Sequence, residues 1–295
     1  MRAGRDPRES SSVRAIDEEH ASAILRAVQA PPEESGPLAA EELRLLRADL
    51  QVAKHVQAKL LPERVPKISG YDFDAYYAPA GELGGDLYDF LQFDKNHLGI
   101  LVADASGKGL SGALLMVEAR AVVRSMASLS VSPVQVLCQA NRVLFQDFKR
   151  GTFISMYYAI LDISKSVLTV ASAGHMPMLL WRWKEAKCYA VNPSGLVLGT
   201  ATEEVFRRTL KETSVELEPG DRFVLYTDGV TEHMNTSQEE FGRSRFVGLS
   251  LKSSRRSSAE YIHDVVSALA AYRDTATSSD DVTVVTGRRI PEQMW

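Results

Sequence analysis

The 295-residue sequence has little cysteine: only Cys138 and Cys188, far apart and each inside a segment that reads as regular structure. That excludes a disulfide framework and a cysteine-based zinc site, and reduced thiols of an intracellular protein are the simplest account. No stretch approaches the ~18 consecutive apolar residues of a membrane-spanning helix. The Arg- and Ser-rich start also lacks the apolar centre of a secretory signal, so a soluble, cytoplasmic protein without membrane contact is expected. The formal net charge is −4, with no long run of like charges, which leaves no evident track for nucleic acid. Several catalytic devices are missing too. There is no Gly-x-Ser-x-Gly elbow and no Walker-type Gly-Lys-Ser/Thr, and neither cysteine sits in a Gly-rich phosphate loop. Gly107-Lys108-Gly109 is too short and wrongly ordered for a nucleotide loop. No internal repeat is visible at any fixed period.

What is present is 45% hydrophobic and 24% charged residues, enough for a sizeable core. The first dozen residues carry almost nothing apolar and read as disordered. A weak amphipathic pattern from Val13 to Ala30 ends at Pro31-Pro32. From Glu41 to Leu61, positions Leu43, Leu46, Leu50, Ala53, Gln57 and Leu60 alternate steps of three and four. This is the seam of a short coiled coil or of a helix packed on its own domain. Pro62 stops it. Residues 1–37 are thus read as an N-terminal segment, disordered or weakly helical, and 38–62 as a linker helix. Too little chain precedes that helix for an ordinary sensor domain.

Strand-like runs follow at Phe73–Tyr77, Leu87–Phe93 and Leu98–Ala103, then two helices at Gly112–Leu129 and Pro133–Phe148. Strand signals resume at Phe153–Leu161, Val167–Ala171, Met178–Trp183, Lys187–Val191, Phe206–Leu217 and Arg222–Tyr226. A helix over Ser258–Tyr272 precedes a last strand at Val282–Thr286. Runs such as Phe153-Ile-Ser-Met-Tyr-Tyr158 are apolar on both faces and must be covered on two sides. Strands on either side of a helical pair, joined by short turns, predict an α+β fold of packed antiparallel sheets.

Four acidic clusters stand at the ends of these strands: Gly84-Gly85-Asp86, Asp104-Ala-Ser-Gly107, Asp228-Gly229 and Asp280-Asp281. Asp beside Gly is ordinary turn chemistry, so any one alone says little. Four converging carboxylates would repel one another and stay ionised only beside cations. An all-oxygen donor set without Cys or His pairs selects Mg²⁺ or Mn²⁺ over zinc. Two such ions lower the pKa of water and polarise a phosphoryl group for in-line attack. Asp86, Asp104, Asp228 and one of the pair Asp280 and Asp281 are therefore the candidate catalytic residues.

The ordered motifs Gly84-Gly-Asp-Leu-Tyr-Asp89, Asp104-Ala-Ser-Gly-Lys-Gly109, Thr152-Phe153, Ala173-Gly-His-Met-Pro177, Tyr226-Thr-Asp-Gly-Val-Thr-Glu232 and Asp280-Asp-Val-Thr283 resemble the SpoIIE/RsbU branch of the PPM (PP2C-like) serine/threonine phosphatases, over roughly Glu41 to Arg288. Gln57-Ala-Lys-Leu-Leu-Pro62 is similar to that family's helix-to-domain junction. The resemblance implies an αββα sandwich of two antiparallel sheets flanked by helices, with 63–290 as the phosphatase domain behind a helical N-terminal segment. It also implies two Mn²⁺ or Mg²⁺ ions as cofactors. Asp104 would bridge them, the Ala105 carbonyl would ligate one, Asp228 and Asp280 would hold the other, and Asp86 would act at the edge. Asp280 is chosen over Asp281 by the family's pattern. The implied activity is removal of phosphate from phosphoserine or phosphothreonine on a STAS-type anti-sigma-factor antagonist, with an activator protein or a second copy of the chain docking on the linker helix. The alternatives are a two-metal phosphodiesterase and a non-catalytic signalling module.

One departure matters. Animal PP2C enzymes carry a His two residues after the bridging Asp and an upstream phosphate-holding Arg. Here Ser106 takes the first place and no Arg matches the second, so the general acid is unassigned. His175 reads as a structural histidine at a turn, Trp181 and Trp183 as sheet packing or a partner surface, Lys108 as a solvated turn residue, and Ser253 to Ser258 as a solvated loop leading into a helix N-cap.

Overall fold

The structure, a computed structural model, describes residues 37–278 and 280–291; the expectations for 1–36 fall outside it. The chain divides into two units, one ending at Val52 and the other running from Ala53. The first helix, α1 (Pro37–Leu60), contributes to both. In the first unit, Glu41 and Arg44 pair one turn apart, and Leu45, Leu46 and Val52 are exposed. In the second, the end of α1 packs on its own domain through Gln57. This side chain is 6% exposed; its amide donates to the Gly84 carbonyl at 2.6 Å and accepts from the Gly84 N–H at 3.2 Å. A polar residue in an apolar seam is thereby explained: both halves of its amide are satisfied by backbone.

The rest of the second unit is two five-stranded antiparallel sheets covered by helices. Its elements are β1 (Tyr71–Ala78), β2 (Asp86–Gln92), β3 (His97–Ala105), α2 (Leu110–Ala127), α3 (Pro133–Asp147), β4 (Ile154–Asp162), β5 (Val167–Ala173), β6 (Met178–Arg182), β7 (Lys187–Val191), α4 (Glu203–Thr209), β8 (Glu212–Glu216), β9 (Arg222–Tyr226), α5 (Gly242–Ser253), α6 (Ser258–Arg273) and β10 (Val282–Arg289). One sheet runs β1-β10-β9-β6-β7, the other β2-β3-β4-β5-β8. This is the αββα sandwich the sequence implied.

Alternation along the strands builds the layers. In the first sheet Phe223, Leu225 and Val285 join the core shared with the second sheet. Their neighbours Val224, Tyr226 and Val284 face the other way and pack with Phe246, Tyr261, Ile262 and Val265 of α5 and α6. The other sheet is covered by α2 and α3 through Met116, Val123, Leu137 and Leu144. Asp89 on β2 is fully buried. It accepts two hydrogen bonds from Arg124 of α2 at 2.6 and 2.9 Å, with Arg120 3.4 Å away.

Three readings need correction. Phe206–Leu217 is not one strand: Glu203–Thr209 is a helical turn carrying Glu203–Arg207 and Glu204–Arg208 pairs at i,i+4, and only Glu212–Glu216 is extended. Helix α5 was not anticipated, because its buried positions are Phe246, Ser250 and Ser253, with only one large apolar residue among them. The serine run before α6 is not wholly solvated. Ser253, Ser254 and Ser258 are buried, while Ser257 and Glu260 form the capping box that starts α6.

Candidate active site

The four aspartates come together at one end of the sandwich, where strands of both sheets terminate. Asp86 opens β2 and faces Asp104 near the end of β3 as a cross-strand pair. Asp228 follows β9, and Asp280 lies two residues before β10. Asp86 is 2% exposed, and its Oδ2 accepts from the hydroxyls of Thr227 (2.7 Å) and Thr283 (2.6 Å). Thr283 lies on β10 of the opposite sheet and Thr227 directly follows its β9, so these bonds tie the two layers at the site. Thr227 and Thr283 lie inside the motifs read from the sequence, yet no role was assigned to them; a hydroxyl beside an Asp cluster was the available signal.

Glycines let the backbone close in. A Cβ on Gly229 would lie 1.9 Å from the Asp281 carbonyl oxygen, and one on Gly85 would lie 3.0 Å from the Ala105 carbonyl oxygen. Any side chain there would push the loops apart.

Asp280 and Asp281 separate clearly. Asp281 is engaged by backbone: its carboxylate accepts from the N–H groups of Ala80 (2.7 Å), Gly85 (2.6 Å) and Asp86 (3.4 Å). Asp280 keeps a partly exposed carboxylate whose Oδ2 lies 3.3 Å from the Lys108 ammonium. Lys108 is therefore an ion-pair partner as well as a turn residue. Ser106 is a structural link, accepting the Phe153 N–H at 2.9 Å.

Burial and mutual repulsion raise the carboxyl groups. Asp104 is pushed up to about 7, first by desolvation and then by Asp228, Asp280, Asp281 and Glu232. Asp86 is raised well above the usual carboxylate range, by burial foremost and then by Asp104. Asp228 is raised by burial and by Asp280. Glu232, at the end of the Asp228 motif, is raised by burial and by Asp228; it belongs to the same electrostatic cluster and was not singled out beforehand. His175 is buried and bonded to Ser155 Oγ at 2.7 Å, and burial lowers its pKa to about 4. Burial thus holds the imidazole neutral in the folded protein.

Mutually repelling carboxylates in an all-oxygen setting suit hard divalent cations. Among the described residues no group of three His, Cys, Asp or Glu side chains is arranged to hold a metal ion by itself. Carboxylates of this cluster would have to draw together on an ion, with the Ala105 carbonyl and water completing its coordination.

A model of the family described as stage II sporulation protein E (SpoIIE) matches residues 94–290. The phosphoserine phosphatase RsbU of Bacillus subtilis (strain 168) is 31% identical over 245 residues, which make up 83% of this chain and 71% of that protein. The solved SiaA-PP2C domain of Pseudomonas aeruginosa superposes with a TM-score of 0.75 at 22% identity, covering 84% of this chain and 99% of that one. The RsbU and RsbW domains of Rv1364c from Mycobacterium tuberculosis give a TM-score of 0.65 at 26% identity, covering 79% and 63%. The two-sheet fold is thus PP2C-like. The chain belongs to the SpoIIE family, as an RsbU-type phosphatase of the PPM class.

Proposed function

We propose that the chain dephosphorylates phosphoserine or phosphothreonine on a STAS-type anti-sigma-factor antagonist, using two Mn²⁺ or Mg²⁺ ions. The observation that carries this reading is the convergence of Asp86, Asp104, Asp228 and Asp280 at one sandwich end, with Asp104 pushed up to about 7 by burial first and by its acidic neighbours second. Asp104 would bridge the ions, the Ala105 carbonyl would join one, Asp228 and Asp280 would hold the other, and Asp86 would act at the edge through the oxygen its threonines leave free. Bound there, the ions would supply an activated water and Lewis-acid stabilisation of the phosphoryl group.

The chain's own groups do the rest. Thr227 and Thr283 orient Asp86. Asp281 fixes the Gly85–Asp86 backbone. Lys108 balances charge at Asp280 and brings a mobile cation to where an anionic substrate would approach. The partner assignment draws support from the RsbU relative and from the RsbU and RsbW domains joined in Rv1364c. Cytoplasmic action is part of the same proposal; among the described residues no helix is long and apolar enough to cross a membrane. Helix α1 would take a second copy or an activator protein along the part of Leu43 to Leu60 that precedes Gln57, whose side chain is already packed on the domain.

The test is release of phosphate from a phosphorylated STAS-domain protein by the purified chain with and without Mn²⁺. Release that requires Mn²⁺ supports the proposal. Hydrolysis of nucleic-acid diesters with phosphoprotein untouched would replace it by the phosphodiesterase reading.

A further inference from the structure

Behind the loops that carry Asp228 and Asp280 lies a cleft of about 110 Å³. Its walls come from β1 and the turn after it (Tyr76, Pro79), from α6 (Val266, Leu269, Arg273) and from His233. Two polar atoms in these walls bear on a ligand. His233 is only 6% exposed, yet its Nε2 has no hydrogen-bond partner, and the buried Nε of Arg273 has none either. Among the described residues no carboxylate pairs with the Arg273 guanidinium, which instead lies close enough to His233 to help depress its pKa. Buried polar atoms are normally satisfied, and each exception calls for a missing water, ion or ligand.

The chemistry of the cleft is mixed. Tyr76, Val266 and Leu269 supply apolar walls, and Arg273 supplies a planar cation with several donors, suited to a carboxylate. We propose that this cleft is a binding site for a small monocarboxylate with a compact apolar body, its carboxylate on Arg273 and its body against Tyr76, Val266 and Leu269. At about 110 Å³ the cleft is smaller than the ~150 Å³ apolar cavity that holds a benzene molecule, so the ligand would be only partly enclosed, with the rest of it at the open mouth. A dianion such as phosphate would bring a second charge into the apolar walls, with only one cation to meet it. The site is separate from the metal-binding aspartates, and none of its walls is assigned a role in hydrolysis. It shares chain with them, since His233 lies five residues beyond Asp228 and Val282, also in the wall, two beyond Asp280.

The experiment is ligand-observed NMR and calorimetry of the full chain with benzoate, its neutral analogue benzamide, and inorganic phosphate. Saturable one-to-one binding of benzoate is expected, with benzamide and phosphate at least about tenfold weaker, the scale of one charge-assisted hydrogen bond. Arg273→Gln should weaken benzoate by a similar factor. Ala270→Phe, which places a ring at the cleft, should block it. Asp280→Asn should leave benzoate binding unchanged, which separates this site from anion binding at the metal centre. Absence of saturable benzoate binding to the wild-type chain overturns the proposal. So does binding that survives both Arg273→Gln and Ala270→Phe, or that is lost in Asp280→Asn.

Discussion

Asp280 and Asp281 are adjacent and chemically identical, and their surroundings give them opposite tasks. Asp281 spends its carboxylate on three backbone N–H groups. Asp281→Ala should therefore destabilise the protein by about 2–4 kcal/mol, since hydrogen bonds to charged groups are worth ~1.5–3 kcal/mol each and buried donors are left unmet. Asp280→Ala should leave the melting temperature within a few degrees while abolishing Mn²⁺-dependent hydrolysis of p-nitrophenyl phosphate. Equal melting temperatures for the two variants would contradict this division. Thr283→Val removes one of the two hydroxyls on buried Asp86 and should cost about 1–3 kcal/mol in urea unfolding.

Asp104 gives a pH prediction with a definite sign. Its folded pKa of about 7 lies above the ordinary 3.8, so the metal-free folded protein holds a proton that the unfolded chain has released. The contribution of Asp104 to the stability of the metal-free form is then fully present below the ordinary value and is lost as pH rises through about 7. Metal binding must displace that proton, so the stabilisation by Mn²⁺ should grow between pH 5.5 and pH 8. Melting curves at several pH values, with and without Mn²⁺, check both slopes.

At the scale of elements, the strands with two apolar faces and the helices with a full apolar stripe were legible in the sequence. The segment Pro133–Asp147 announced itself by its Ser132 cap and Pro133, and the β4 run by residues buried on both sides. Helix α5 was not legible because serines occupy two of its three buried positions. They are tolerated there because Ser250 meets the Tyr261 hydroxyl and Ser253 meets Asp264, partners supplied only by the folded α6. The same reason hid part of the site. The aspartates could be read from glycine-flanked strand ends, whereas Thr227 and Thr283 matter only because two sheets bring them to one carboxylate. The link between Asp89 and α2 is a further tertiary product. Asp89→Asn should destabilise by about 3 kcal/mol, leaving Arg120 and Arg124 without their buried counter-charge, as denaturant unfolding would show.

For the whole molecule, α1 divides at Val52 and Ala53, and Gln57 lies on the catalytic side of that division. Removing residues 1–52 should leave a folded, Mn²⁺-responsive unit and shift light scattering from dimer to monomer if α1 pairs two copies. Removing 1–61 should in addition reduce activity, because Gly84, next to Gly85 and Asp86, loses both of its hydrogen bonds with Gln57. A truncation at 61 that keeps full activity would refute the coupling between α1 and the site.

The proposed hydrolysis of phosphate esters requires the four aspartates to form one divalent-metal site. The most direct test is calorimetric titration of Mn²⁺ into the wild-type chain and into Asp104→Asn and Asp228→Asn, with p-nitrophenyl phosphate hydrolysis measured on the same samples. Mn²⁺ binding and hydrolysis are expected in the wild type, with both reduced by about 100-fold or more in each variant. A variant that folds, binds Mn²⁺ as tightly as the wild type and hydrolyses at the same rate would contradict it.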